Sequence, residues 1–110
     1  MNATVDCFGI LEIYHPEFAD EFRNWRDKPA KEIINGLRAR FFVSFFRPAE
    51  LQDHDVVLWQ DPNGRVHLSV YQGFMFHIID RNGLEKTIPL TLGERRFRLR
   101  PTHIVRETTP

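Results

Sequence analysis

Apolar and polar residues alternate through the second half of the chain, and glycines at positions 64, 73, 83 and 93 interrupt the alternation. Two of these glycines close the same four-residue pattern, DPNG over residues 61–64 and DRNG over residues 80–83. Aspartate at the first position can accept hydrogen bonds from the turn backbone, and glycine at the fourth position adopts a positive φ at little cost. Short alternating segments joined by such turns predict an antiparallel meander.

The turn type determines which residues pair across the predicted hairpins. A type I turn closed by a one-residue bulge at each glycine pairs Asp61 with Arg65, Val70 with Phe74, and Asp80 with Leu84. This register gathers apolar side chains on one face of the sheet: Val56, Leu58, Val66, Leu68, Val70, Phe74, Phe76, Ile78, Ile88 and Leu90. A two-residue loop at Leu92 and Gly93 would extend this apolar face into a last strand over residues 95–100.

The other face of the predicted sheet carries one row of mixed side chains: Trp59, His67, His77, Thr87 and Arg98. Directly opposed residues in such a row have Cβ atoms about 5 Å apart. Aromatic residues, methionine and arginine are enriched at protein interfaces, and this face holds all three kinds. We therefore predict a partner-binding surface made of Trp59, His67, Tyr71, Met75, His77 and Arg98.

The first third of the chain has the patterns of one strand and two short helices. Residues 4–14 are rich in β-forming residues without a helical period, which predicts a strand within residues 1–14. Pro16 begins a helical segment over residues 16–36, and Pro29 divides it into two helices. Phe18, Phe22 and Trp25 share a face of the first helix. The second has Ala30, Ile33, Ile34 and Leu37 as its apolar residues, and Gly36 is the expected cap beyond its end.

Residues 37–46 fit two periods, because their apolar residues alternate as in a strand and also recur on one helical face. The phenylalanine-rich run over residues 41–46 favours a strand, so the predicted meander covers residues 37–101. Residues 48–55 are expected to form a loop, and the polar residues 102–110 a tail. The sequence as a whole predicts one α+β domain over residues 1–110. In this fold an N-terminal strand and one or two helices pack on five or six antiparallel strands, which stay open or close into a small barrel.

Composition limits the classes of function. The chain of 110 residues has 15 basic and 15 acidic residues, so bulk charge does not attract it to nucleic acid. A net charge near zero also favours self-association or a protein partner. No apolar run reaches the roughly 18 residues of a membrane span, and no secretory signal is evident. The single cysteine, Cys7, forms no internal disulfide, and we expect a cytoplasmic protein without a membrane partner.

A basic segment offers an alternative function. Arg95, Arg96, Arg98 and Arg100 lie close together with no acidic residue between them. On a strand they could follow a phosphate backbone, with aromatic residues stacking on the bases. The same charges are more typical of an edge strand that is protected from aggregation, and this interpretation or a protein partner ranks above nucleic-acid binding.

His67 and His77 are the candidates for a metal site, because two imidazoles side by side can bind a transition metal. Asp61 and Glu85 lie one row away as possible further ligands, but no local spacing motif supports a metal site, and no nucleophile motif or glycine-rich phosphate loop is present. We therefore expect neither a cofactor nor catalysis. The favoured hypothesis is a small binding protein, such as an adaptor, assembly factor or inhibitor, that docks a protein partner or a second copy. A nucleic-acid-binding module is the alternative, followed by a small metal-dependent enzyme at the two histidines.

Overall fold

A sheet of six antiparallel strands forms the centre of the molecule in a computed structural model. The structure describes Pro16 and residues 24–25, 28–79, 85–95 and 98–107, with only the backbone for Glu85 and Leu92. The strands are β1 Phe41–Phe45, β2 Val56–Gln60, β3 Val66–Gln72, β4 Met75–Ile79, β5 Glu85–Ile88 and β6 Arg100–Glu107. Helix α1 covers Ala30–Arg38, a 3-10 turn covers Pro48–Glu50, and helix α2 covers Leu90–Arg95.

The strand order is β1-β6-β2-β3-β4-β5, so the meander of the sequence prediction holds for β2 to β5. Among the described residues, strands β1 and β5 lie at opposite edges and the sheet does not close, so of the two predicted alternatives the structure has the open sheet and not the small barrel. The antiparallel sheet with helices is confirmed. The predicted strand over residues 4–14, the predicted helix that starts at Pro16, and the turn at residues 80–83 lie largely or wholly outside the described residues.

Strand β6 corrects the prediction of a polar tail over residues 102–110. It lies between β1 and β2, and its residues His103, Ile104 and Val105 are all buried. Pro101 begins this buried section opposite Trp59, where the β2–β6 register shifts between Leu58 and Trp59. Proline lacks an N–H group and is tolerated in a sheet at such an irregularity.

Helix α1 begins after Pro29 as predicted and buries Ile33 and Leu37. Gly36 lies inside this helix, so its expected role as a cap was wrong. A Cβ atom added to Gly36 would lie 2.7 Å from the ring of Trp25, which shows that the glycine allows this ring to approach the helix closely. The ambiguous residues 37–46 divide at Ala39 and Arg40, and the strand begins only at Phe41.

Both faces of the sheet are covered by apolar side chains. On the α1 face, Ile33 and Leu37 pack with a set from the sheet: Phe41, Val56, Leu58, Val66, Leu68, Val70, Ile79 and Val105. On the α2 face, Val57, Trp59, Phe76 and Ile88 form a second cluster together with Leu90 of α2. The prediction of one apolar and one half-polar face was therefore wrong.

Helix α2 is the reason for this difference, because it occupies part of the segment predicted as a two-residue loop and a last strand. Gly93 lies in its middle, and a Cβ atom there would be 3.0 Å from the Trp59 ring. The Leu99 N–H then donates to the Gly93 carbonyl oxygen at 3.1 Å and turns the chain towards β6. None of the helices in the described ranges is both long enough and apolar enough to cross a membrane.

Candidate functional site

The turn between β2 and β3 has the predicted structure. Gly64 N–H donates to the Asp61 carbonyl oxygen at 2.9 Å, and Gly64 has a φ of +79°. Asp61 N–H donates to the Arg65 carbonyl oxygen at 3.0 Å, which confirms the predicted pair. The register that follows places Trp59 opposite His67, also as predicted.

The turn between β3 and β4 differs from the prediction. Val70 is opposite His77, and Gln72 is opposite Met75, so only Gly73 and Phe74 connect the strands. Both have a positive φ, +61° and +64°, as in a type I′ turn. The predicted pair of Val70 with Phe74 was wrong by three residues, and an odd shift moves every side chain of a strand to the other face.

This shift separates the predicted row of five side chains. His77 is opposite Thr87 as expected, but His67 and His77 are not opposite each other. Arg98 lies outside the sheet in the segment between α2 and β6, with a φ of +54°.

Trp59 belongs to the core and not to an open surface, since its exposed fraction is 1%. Its indole Nε1–H donates to Ser69 Oγ at 2.8 Å, and its ring meets Phe76 edge-on with centroids 5.1 Å apart. A buried indole with a satisfied donor is typical of a structural residue. The premise that Trp59 would present its ring to a partner is therefore corrected.

The two histidines have separate neighbours. His67 Nε2 lies 3.2 Å from Asp61 Oδ2, and His77 Nε2 lies 3.3 Å from the carbonyl oxygen of Gln72. Within the described part of the chain, no group of three or more histidine, cysteine, aspartate or glutamate side chains could hold a metal ion. The structure does not bring the two metal candidates together.

The electrostatics of Asp61 reflect its position in the first turn. Burial alone would raise the pKa of this carboxyl group. Hydrogen bonds from the N–H groups of Arg65 and Asn63, together with the bond and charge of His67, outweigh burial and lower the pKa below its ordinary value. The ionised carboxylate thus stabilises the turn.

The predicted arginine strand does not form. Arg95 is the last residue of α2, Arg98 has a left-handed backbone, and Arg100 is the first residue of β6. Arg96 lies outside the described residues. Three arginines in three different backbone settings do not make the regular stripe that a strand would have presented.

The sequence prediction missed Phe74, which has the largest exposed fraction, 86%, among the exposed large apolar residues of the described chain. Two residues of the predicted interface, Tyr71 and Met75, lie close to it in the hairpin and are half-buried. The signal in the sequence is a phenylalanine directly after a glycine, in a segment that must reverse direction. Phe42 and Phe45 are also exposed, but an odd separation places them on opposite faces of β1.

A second tight turn supports the one that carries Phe74. His54 N–H donates to the Tyr71 carbonyl oxygen at 2.7 Å, and Gly73 N–H donates to Asp53 Oδ1 at 3.1 Å. His54 also has a positive φ, +75°. We call Asp53, His54, Gly73 and Phe74 the double-turn tip; all four are exposed.

The double-turn tip is fixed to the sheet through Asp55, whose exposed fraction is 2%. The Asp55 carboxylate accepts hydrogen bonds from Arg106 Nε and Nη2, both at 2.7 Å, and from Gln52 N–H at 2.9 Å. The hydrogen bonds to Asp55, together with the charges of Asp55 and Glu50, outweigh burial and raise the pKa of the Arg106 guanidinium above its ordinary value. The Asp55 carbonyl oxygen accepts from Tyr71 N–H at 2.8 Å, which joins this ion pair to β3.

Backbone strain and exposure coincide at the double-turn tip. Of the non-glycine residues with a positive φ in the described chain, His54 and Phe74 belong to this one site. Histidine adopts this conformation several times more often than most residues, whereas phenylalanine is rare in it, at a cost of about 1–2 kcal/mol. Such strain persists where the surrounding structure enforces it, and it is concentrated at functional sites. The double-turn tip is therefore the candidate docking site.

Comparison with known proteins adds no family to this description. No family model matches the chain, and no curated protein matches it.

Proposed function

We propose that this chain is a non-catalytic binding protein, and that it docks a protein partner through the double-turn tip with Phe74 as the anchor. The observation that supports the proposal is an aromatic ring, 86% exposed, on a residue with a φ of +64°. Replacing this phenylalanine by a glycine or asparagine would relieve both the strain and the exposure. A binding role explains why a phenylalanine stands there instead.

The rigidity of the double-turn tip favours binding. Gly73 N–H is held by Asp53, and the neighbouring turn is held by His54, Tyr71 and the buried Asp55. An anchor that is already ordered loses less conformational entropy when it docks than one on a flexible loop. Burying a phenylalanine side chain stabilises a complex by about 1.5–3 kcal/mol, which corresponds to about ten- to hundredfold in affinity.

The proposed docking surface includes part of the surface predicted from the sequence, but its centre is Phe74 and not Trp59. Tyr71 and Met75 lie near the double-turn tip on opposite faces of the hairpin, since Tyr71 is opposite Phe76 and Met75 is opposite Gln72. Each can therefore extend the contact around Phe74 on its own side only. Trp59 supports the sheet beneath α2 and takes no direct part. Interface hot spots are commonly a few anchor residues in a desolvated pocket, surrounded by weaker contacts that exclude water.

The experiment compares capture of proteins from an extract of the cells that make this chain. The wild-type chain is immobilised beside Phe74→Ser and a matched control, Phe45→Ser, which removes a phenylalanine that is 70% exposed on β1. We expect one set of proteins on the wild type and the control, at least tenfold depleted on Phe74→Ser. Equal capture by all three chains would refute the docking role of Phe74.

The proposed function does not include nucleic-acid binding. The arginines that suggested it occupy a helix end, a left-handed loop residue and a strand start, and they form no stripe along one strand. Binding of single strands usually combines a continuous basic groove with stacked aromatic side chains. Nothing in the described residues combines these two features at one place.

A further inference from the structure

We propose, resting on the function above, that the partner receives Phe74 in an apolar pocket whose rim carries a basic group, and that Asp53 selects this rim. The chemical class of the partner is thus a protein surface with a concave apolar site beside an arginine or lysine. The argument depends on the position and the charge of one carboxylate.

Asp53 lies directly beside the anchor. Its Oδ1 accepts the N–H of Gly73, the residue before Phe74, at 3.1 Å. The side chain is exposed, and in the described chain no ion pair involves it. A pocket that closes over Phe74 therefore brings its rim next to this carboxylate.

None of the ion pairs among the described residues compensates the charge of that carboxylate. The Asp55 carboxylate is neutralised by Arg106, with a contact of 2.7 Å. On the side of β4 and β5, Phe76 is opposite Ile88, and uncharged Pro89 follows. His54 is the second titratable side chain of the double-turn tip. Complementary charge at a rim sets specificity and association rate, and an opposite charge on the partner is what this arrangement favours.

A membrane surface fits the double-turn tip less well than a protein pocket does. A single fourteen-carbon acyl chain gives only marginal membrane binding, and one phenylalanine buries much less apolar surface. Anionic lipid headgroups would also repel the Asp53 carboxylate. The observations favour the pocket, and a membrane becomes an outcome of the test.

The experiment uses three β-cyclodextrins as probes, because each offers an apolar cavity of the size of a phenyl ring. Their rims carry amino, hydroxyl or carboxyl groups. Binding to the full chain is followed by NMR through the ring signals of Phe74. We expect the amino rim to bind about two- to fivefold more tightly than the hydroxyl rim at low salt, as for an exposed ion pair. The carboxyl rim should bind most weakly, and high salt should remove the differences.

Two variants and an internal reference make the result specific. Asp53→Asn keeps an oxygen that can accept the Gly73 N–H but removes the charge, and it should bind all three probes equally. Phe74→Ser should lose binding at the double-turn tip altogether. Phe45, whose ring lies 5.4 Å from that of His103, serves as the reference for binding at an exposed phenylalanine elsewhere.

The outcomes separate this inference from the proposed function. A rim preference that persists in Asp53→Asn overturns the selection by Asp53, while depleted capture by Phe74→Ser still supports docking. Absence of any cyclodextrin signal at Phe74 in the wild type overturns both, because the ring is then not presented. Binding to phosphatidylcholine vesicles that is lost in Phe74→Ser would replace the protein pocket by a membrane and overturn the inference.

Discussion

The two turns at the ends of β3 reverse the chain by opposite means. In the β2–β3 turn, the Asp61 carboxylate accepts the N–H groups of Asn63 and Arg65, both at 2.9 Å, and Gly64 takes the positive φ. In the β3–β4 turn, Phe74 has a positive φ of +64°, and the support comes from Asp53 in a distant loop. The first turn stabilises itself, whereas the second depends on the rest of the molecule.

This difference is the physical ground on which we propose a function for the second turn. In the first turn, the residues have the local preferences that the backbone requires, so the turn needs no further explanation than folding. The second turn departs from those preferences at an exposed aromatic residue. Proteins commonly retain such a departure at sites where another requirement, often binding, outweighs local stability.

The largest expected effect is the loss of the support beneath the second turn. Asp55→Ala leaves Arg106 without its carboxylate and the Gln52 N–H without an acceptor, so we expect a loss of about 3 kcal/mol in the free energy of unfolding. Urea denaturation measures this loss. Hydrogen exchange should show that the Gly73 amide loses more protection than the Gly64 amide. Equal loss at both amides would contradict the dependence of the second turn on this loop.

A pair of glycine substitutions tests whether the two turns share their backbone requirement. A Cβ atom added at Gly64 or at Gly73 meets nothing within 4 Å, so any cost arises from the positive φ alone. Gly64→Ala and Gly73→Ala should therefore each destabilise the chain by about 1 kcal/mol, as measured by thermal or urea unfolding. If Gly64→Ala lowers the free energy of unfolding and Gly73→Ala does not, then the β3–β4 turn has changed to another turn type in the second variant.

Phe74→Asn should have a smaller effect and the opposite sign. Asparagine tolerates the left-handed conformation far better than phenylalanine, so we expect a gain of about 0.5–1 kcal/mol in the free energy of unfolding, together with lost binding. Phe45→Asn is the matched control, because β1 has extended backbone and asparagine is unfavourable in a strand. A loss of stability in Phe74→Asn would mean that the ring packs against the protein.

The sequence predicts the β2–β3 turn correctly and the β3–β4 turn incorrectly, and the same difference between the two turns explains why. Residues 61–64 have the local preferences that their turn requires. The sequence therefore predicts the pairing of β2 with β3 and the position of Trp59 opposite His67. The β3–β4 register could not, because a phenylalanine at a positive φ contradicts its propensity and is imposed by contacts with residues 53–55. Sequence pattern indicates local preference, and this turn is set by tertiary structure.

The incorrect expectation that Trp59 is exposed has a second cause, which is also tertiary. Strand β6 lies inside the sheet, between β1 and β2, although it follows all the others in sequence, and no local pattern reveals partners so distant in sequence. Helix α2 covers Trp59 because Gly93 lets the chain lie against the ring. The sequence shows the glycine but not the ring that approaches it, so the sequence pattern predicts an exposed Trp59 where the structure has a buried one.

The smallest expected effect is a dependence of the first turn on pH. The pKa of Asp61 is lower in the folded chain than its ordinary value near 3.8, so the unfolded chain binds the proton more tightly. The turn therefore contributes its full stability above the unfolded-state pKa and loses it as the pH falls through the folded-state pKa. Comparing urea unfolding of the wild type and Asp61→Asn from pH 6 to pH 2 should show a difference that shrinks with acid. If the difference in the free energy of unfolding stays constant with pH, then hydrogen-bond geometry, and not the charge of the Asp61 carboxylate, stabilises the β2–β3 turn.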